Sequence, residues 1–219
     1  SDDNSSINLG YMESDLNNVE KDTYVYSYTN KQNDFSFMGG LTNEKGGILK
    51  SSFDGAFELD QNHNSTSFIA IRKNKNFGDK EFGFISSFGS TNVKTQNDSL
   101  IKNIEGVITS SFGFYLNNYG LIDNKDKITI SLSQPIRVES GNMIYDIPAL
   151  NDKSGTLNYI TEETSLQPSG RQLDLSLRYE RKFNDDLKFS SEGILTNNYN
   201  HTKNNLLDIS LIGSIKYSF

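Results

Sequence analysis

Residues 206–219 read Leu206-Leu-Asp-Ile-Ser-Leu-Ile-Gly-Ser-Ile-Lys-Tyr-Ser-Phe219, and their alternation decides the fold class. Every second residue back from the end is apolar, aromatic or glycine: Phe219, Tyr217, Ile215, Gly213, Leu211, Ile209 and Leu207. The intervening set, Ser218, Lys216, Ser214, Ile212, Ser210, Asp208 and Leu206, is mostly polar. A period of two held over this length is a strand with one oily and one wet face. At about 3.3 Å per residue it spans roughly 45 Å, enough for a tilted strand to cross a bilayer. The competing reading is the last strand of a soluble β-sandwich.

Working outward, the same alternation recurs along the chain. Tyr24, Tyr26 and Tyr28 alternate with Val25 and Ser27, and Phe35, Phe37, Gly39 and Leu41 follow. Phe53, Gly55, Phe57 and Leu59 repeat it, then Phe82, Phe84 and Phe88, then Ile104 to Leu116. Ile128, Ile130 and Leu132 precede a break at Pro135, and Leu173, Leu175, Leu177 and Tyr179 lead into Leu187, Phe189 and Leu195. Short strands at even spacing with turn residues between them mean a sandwich or a barrel. Closed bacterial barrels have an even strand count. The expectation is one domain over residues 1–219: an all-β, antiparallel up-and-down barrel of about twelve strands, of outer-membrane type. Residues 1–20 are read as an extended lead-in. Asn184-Asp185 reads as a tight turn, residues 197–205 as a solvated polar loop, and Gly46-Gly47 as a bend.

Composition narrows the classes. Apolar residues make up only 34% of the 219, against nearer half in an ordinary globular domain. A barrel, oily at alternate positions only, accounts for that deficit. Disorder does not, since Phe (14) and Tyr (11) fall at strand spacing. No apolar run approaches the length of a membrane helix. A net charge of −7 argues against nucleic acid, and the absence of cysteine removes thiolate and disulfide chemistry. No signal peptide stands at Ser1, so a processed chain or a piece of a longer one is expected.

Two stretches carry a family resemblance. One is Ile128-Thr-Ile-Ser-Leu-Ser-Gln-Pro-Ile-Arg-Val-Glu-Ser-Gly141. The other is Leu166-Gln-Pro-Ser-Gly-Arg-Gln-Leu-Asp-Leu-Ser-Leu-Arg-Tyr179, and Ile108-Thr-Ser-Ser-Phe-Gly113 supports them. They resemble the C-terminal region of Gram-negative bacterial subtilisin-like serine peptidases built as autotransporters. The terminal Phe219, with Tyr217 and Ile215 at the same spacing, resembles the barrel-assembly signal of outer-membrane proteins. The resemblance implies a translocator or anchor in the outer membrane at the cell surface. Its implied partners are the lipid bilayer, the outer-membrane assembly machinery and an N-terminal subtilase passenger, and its implied role is secretion and display.

Protease activity does not carry over. A subtilisin-type site needs a Ser activated by a His that an Asp orients. This chain has only His63 and His201, both among asparagines. It is therefore read as no enzyme, without cofactor or metal; its adjacent acidic pairs, Glu162-Glu163 and Asp185-Asp186, lack the spacing of a calcium loop. The charged motif residues Arg137, Glu139, Arg171, Asp174 and Arg178 are expected to include a lumenal ionic cluster, or else to be solvated surface charges. Pro135, with no donor, is expected at a bulge or strand edge. The alternative to the translocator is a soluble or surface-attached β-rich binding or structural module.

Overall fold

The computed structural model describes residues 5–16, 19–49, 51–53, 55–60, 64–149, 155, 157–184, 186–203 and 206–217. They form β1 (Ser5–Leu16), β2 (Val19–Asn30), β3 (Phe35–Glu44), β4 (Gly47–Ile48), β5 (Ser51–Ser52), β6 (Asn64–Phe77) and β7 (Lys80–Asn92). Then come β8 (Ile101–Tyr119), β9 (Asp126–Pro148), β10 (Tyr159–Ser165), β11 (Leu173–Lys182), β12 (Leu187–Asn197) and β13 (Leu207–Tyr217). One antiparallel sheet runs β1-β2-β3-β6-β7-β8-β9-β11-β12-β13, with β10 also on β9. The residues first read as a lead-in supply β1, in unbroken register with β2.

The sheet is open, and this corrects the expected barrel. β1 and β13 are the two ends of the path and do not pair with each other. A spanning sheet must close, because an open edge in hydrocarbon leaves a row of backbone N–H and C=O groups without partners. No helix among the described residues is long and apolar enough to cross a membrane. The outer-membrane translocator or anchor is therefore overturned. With it go the transmembrane strands, the bilayer and assembly-machinery partners, the passenger-secretion role and the cell-surface location. Phe219 lies outside the described residues; Ile215 and Tyr217 stand on the exposed edge strand β13.

The two faces of the sheet differ in an unusual sense. Register carries one apolar row across the early strands, Leu9 to Tyr26, Gly39, Ile69 and Phe88. Another crosses the late ones, Leu116 to Ile130, Leu177, Gly193 and Leu211. These side chains are exposed, Leu9 at 82% and Leu211 at 84%. Among the described residues no second sheet buries them, so a two-layer sandwich is not formed there.

The polar face is the packed one. Thr23, Thr42, Thr66 and Thr91 stand on one rung of β2, β3, β6 and β7, all buried. Their hydroxyls pair at 3.2 Å (Thr23–Thr42) and 2.9 Å (Thr66–Thr91). Ser87–Ser111 (2.6 Å) and Ser131–Ser176 (2.8 Å) repeat the device further along. Small side chains let larger ones lean across this face. A Cβ at Gly83 would fall 2.1 Å from the Tyr115 ring, so only glycine lets that ring cross β7. The Tyr115 hydroxyl then reaches Asn74 Oδ1 on β6 at 2.9 Å.

The apolar core is small and sits at one end. Leu59, Ile101, Ile104, Val107, Val93 and Ile48 are buried together, with Leu49, Phe53, Val138, Met143 and Leu166 against them. The cover comes from the segment between β3 and β6, which holds the β4–β5 hairpin and a single 3₁₀ turn at Gly55–Phe57. Residues 51–60 were expected as one strand. Gly55, at φ +65°, breaks them, and Leu59 turns inward to bridge Thr95. Leu100 N–H donates to Ala56 O at 2.7 Å and Asp60 N–H to Lys94 O at 3.0 Å, which fixes the cover.

Candidate functional site

The centre of the charged motif residues is a break in strand pairing. β11 and β10 lie along the same side of β9, β11 on Asp126 to Ser133 and β10 on Asn142 to Pro148. Residues 166–172 run between them without strand structure. β9 is irregular at the same level: Phe112 pairs Gln134 but Ser110 pairs Arg137, so β9 holds one extra residue there. That is a bulge, and it contains Pro135, the residue that cannot donate to a ladder.

Side chains from the bulge region, together with Arg171 from the gap segment itself, staple the gap. Arg137 is 6% exposed. It donates from Nε to Gly170 O (2.9 Å), from Nη2 to Pro168 O (3.0 Å) and from Nη1 to Glu139 Oε2 (2.5 Å). Arg171 grips the same carboxylate in bidentate fashion, Nη1 to Oε1 at 2.9 Å and Nη2 to Oε2 at 2.8 Å. Ser110 donates to Oε1 at 2.6 Å. Gln134, buried, accepts from Arg171 Nη1 and donates from Nε2 to Ser110 O at 3.2 Å. Burial pushes the Glu139 carboxyl up. Hydrogen bonds from Arg171 and Ser110, with both guanidinium charges, outweigh that and hold it below the ordinary carboxylate range.

A third segment joins from the connection between β12 and β13. The sequence predicts a solvated loop over residues 197–205, yet His201 is buried. Its Nδ1 accepts the Gln172 backbone N–H at 3.0 Å, so the proton sits on Nε2, which donates to Ile136 O at 2.9 Å. Gly170 N–H donates to His201 O at 2.7 Å, and a Cβ at Gly170 would meet Lys203 N at 2.7 Å. Asn198, Asn200 and His201 all take positive φ, near +55°, which asparagine tolerates best. The asparagine-rich composition was the available signal for this turn, read instead as solvation. His63 lies outside the described residues.

Arg137, Glu139 and Arg171 are therefore brought together, while Asp174 and Arg178 are not part of that group. Asp174 accepts from Gln172 Nε2 at 3.0 Å and Thr196 Oγ1 at 2.7 Å. Arg178 pairs Glu180 at 2.7 Å, which also takes Lys188 at 3.1 Å. With the sheet open, no lumen exists for any of them to line. Arg178 and Glu180 instead face a polar groove of about 400 Å³ with Arg72, Glu81, Tyr115 and Lys127. In that groove Glu81 accepts from Asn117 Nδ2 and the Tyr119 hydroxyl, each at 2.9 Å. Those bonds overcome the upward push of burial and hold its carboxyl low.

Chemically these sites are occupied by their own bonds. A carboxylate gripped by two guanidinium groups is a poor base at neutral pH. The Ser110 hydroxyl points at that carboxylate, and His201 faces a backbone amide and a carbonyl rather than a nucleophile and an acid. The arrangement fixes chain segments to one another. Among the described residues no three His, Asp or Glu side chains stand close enough to hold a metal ion. No protein-family model matches the chain, and no curated protein and no solved structure matches it. The autotransporter-subtilase resemblance thus finds no support there, and the open sheet contradicts the barrel it implied.

Proposed function

We propose that this chain is a non-enzymatic, β-rich structural module that acts by association through the open edge of its sheet. One observation carries the reading: β13 is an eleven-residue edge strand exposed along its whole length, with Ile209 at 76% and Leu211 at 84%. Long, flat, apolar edges are templates for another strand, and proteins that must stay apart blunt them with proline, bulges or central lysines. β13 has no proline and no break in its register with β12, and its two charges lie near its ends.

The energetics fit a reversible contact. A new ladder along β13 makes about ten backbone hydrogen bonds, at about 0.5–1 kcal/mol net each. Partly covering Leu207, Ile209, Leu211, Ile215 and Tyr217 adds about 1 kcal/mol each. Association costs of about 4–15 kcal/mol offset most of that gain, which leaves a weak, reversible contact. Sedimentation velocity from about 1 to about 200 μM tests it. Concentration-dependent association that Leu211→Lys abolishes is expected. A chain that stays monomeric across the range refutes the proposal.

A further inference from the structure

We propose that the occupant of the β13 edge is β13 of a second copy, paired antiparallel about a two-fold axis at Ile212. This rests on the association reading above and names its partner. The strand reads Leu207-Asp-Ile-Ser-Leu-Ile-Gly-Ser-Ile-Lys-Tyr217, and it is chemically self-complementary about its middle residue. Reversed upon itself, it sets Leu207 against Tyr217, Asp208 against Lys216, Ile209 against Ile215, Ser210 against Ser214 and Leu211 against Gly213. Every apolar residue meets an apolar residue or glycine, each serine meets a serine, and each charge meets its opposite, twice over. All eleven residues take part.

The faces agree as well. The odd-numbered residues of β13 continue the apolar face through Leu195–Ile209 and Phe189–Ile215. A two-fold axis perpendicular to the sheet keeps that face on the same side in both copies. Opposite pairs in such a ladder supply the side-chain contacts that stabilise sheets, hydroxyl pairs and ion pairs included. A two-fold interface also closes on itself, so the product is a dimer rather than a fibre.

The other edge does not offer the same match. Reversing β1 upon itself about Gly10 sets Ile7 against Glu13. Pairing β1 with β13 over their full lengths sets Glu13 against Ile209 and leaves Lys216 facing Ser6. The exposed apolar side chains of β1, Ile7, Leu9, Tyr11 and Met12, are followed along the strand by the acidic Glu13 and Asp15, with no basic residue in the strand to answer them.

The chain has no cysteine, so single replacements report cleanly. On the axis, residue 212 faces its own copy at about 4.5–5.5 Å between Cα atoms, within disulfide reach. Ile212→Cys is expected to oxidise to a dimer in high yield, whereas Gly10→Cys on β1, where a Cβ has open space, stays monomeric. Asp208→Lys sets two lysine pairs face to face and weakens dimerisation about tenfold by sedimentation equilibrium. The double swap Asp208→Lys/Lys216→Asp restores it. Preferential cross-linking through Gly10→Cys, or a double swap no better than the single, overturns this pairing while leaving association intact. A monomer at every concentration overturns both readings.

Discussion

Replacing Glu139 by glutamine tests the staple most directly. The substitution keeps the shape and removes the charge that answers Arg137 and Arg171. Arg137 is then a guanidinium only 7% exposed at its side chain with its ion-pair partner gone. Breaking a fully buried pair by removing one partner costs about 3–5 kcal/mol. Here the Glu139 side chain is 26% exposed and that of Arg171 45%, so solvent screens part of the loss and about 2–3 kcal/mol is expected. For a chain of this length that lowers Tm by about 4–12 °C. Urea unfolding followed by far-UV circular dichroism measures it at each pH. The folded Glu139 carboxyl is held below its ordinary range, so its contribution is present above about pH 4.3, the unfolded value, and is lost as pH falls through the folded one. The gap between native and Glu139→Gln chains therefore narrows from pH 7 to pH 3. A gap below about 0.5 kcal/mol at pH 7, the size of an ordinary surface substitution, or one that stays constant into acid, refutes the reasoning.

Other perturbations address the remaining parts. Leu59 is fully buried under the cover, and Leu59→Ala should cost about 2–5 kcal/mol in urea unfolding. Gly83→Ala drives a methyl into the Tyr115 ring and should cost about 1–3 kcal/mol. In a Tyr115→Ala background that penalty should largely vanish, which a double-mutant cycle reads. His201→Ala leaves the Gln172 N–H and the Ile136 carbonyl without their partner, a loss of about 1–3 kcal/mol. Hydrogen exchange should speed up at Gln172 and Gly170 and remain unchanged in β1, β2 and β3.

Local alternation made most of the strands legible. Tyr24, Tyr26 and Tyr28 fall on one face of β2, and Leu173 to Tyr179 on one face of β11, as a period of two requires. Pro135 stands at a bulge because a residue without an N–H has nowhere else to go in a ladder. What alternation does not carry is any contact between segments far apart in sequence. Leu59 and Phe53 look like strand residues by period, yet Gly55 turns them into a cover over Ile101 and Ile104. His201 sits in an asparagine-rich stretch that reads as solvent-exposed, and left-handed backbone at Asn198 and Asn200 carries it inward. β11 begins only at Leu173, so Arg171 is free of the ladder and turns toward Glu139, while Asp174 stays within the strand.

The same limit explains why the barrel expectation failed although its strands formed. Each pairing along the path from β1 to β13 is set between the two strands that make it, and each is satisfied equally in an open or a closed sheet. Closure depends on one further pairing, between the first strand and the last. There the full-length register sets Glu13 against Ile209, and β1 and β13 stay apart at the two ends of the path. The two motif stretches, from Ile128 and from Leu166, likewise owe their shared residues to a local task. Arg137 and Arg171 hold residues 166–172 in the gap between β10 and β11, so their pattern reports a break in a strand and not the chemistry of a peptidase or the closure of a pore.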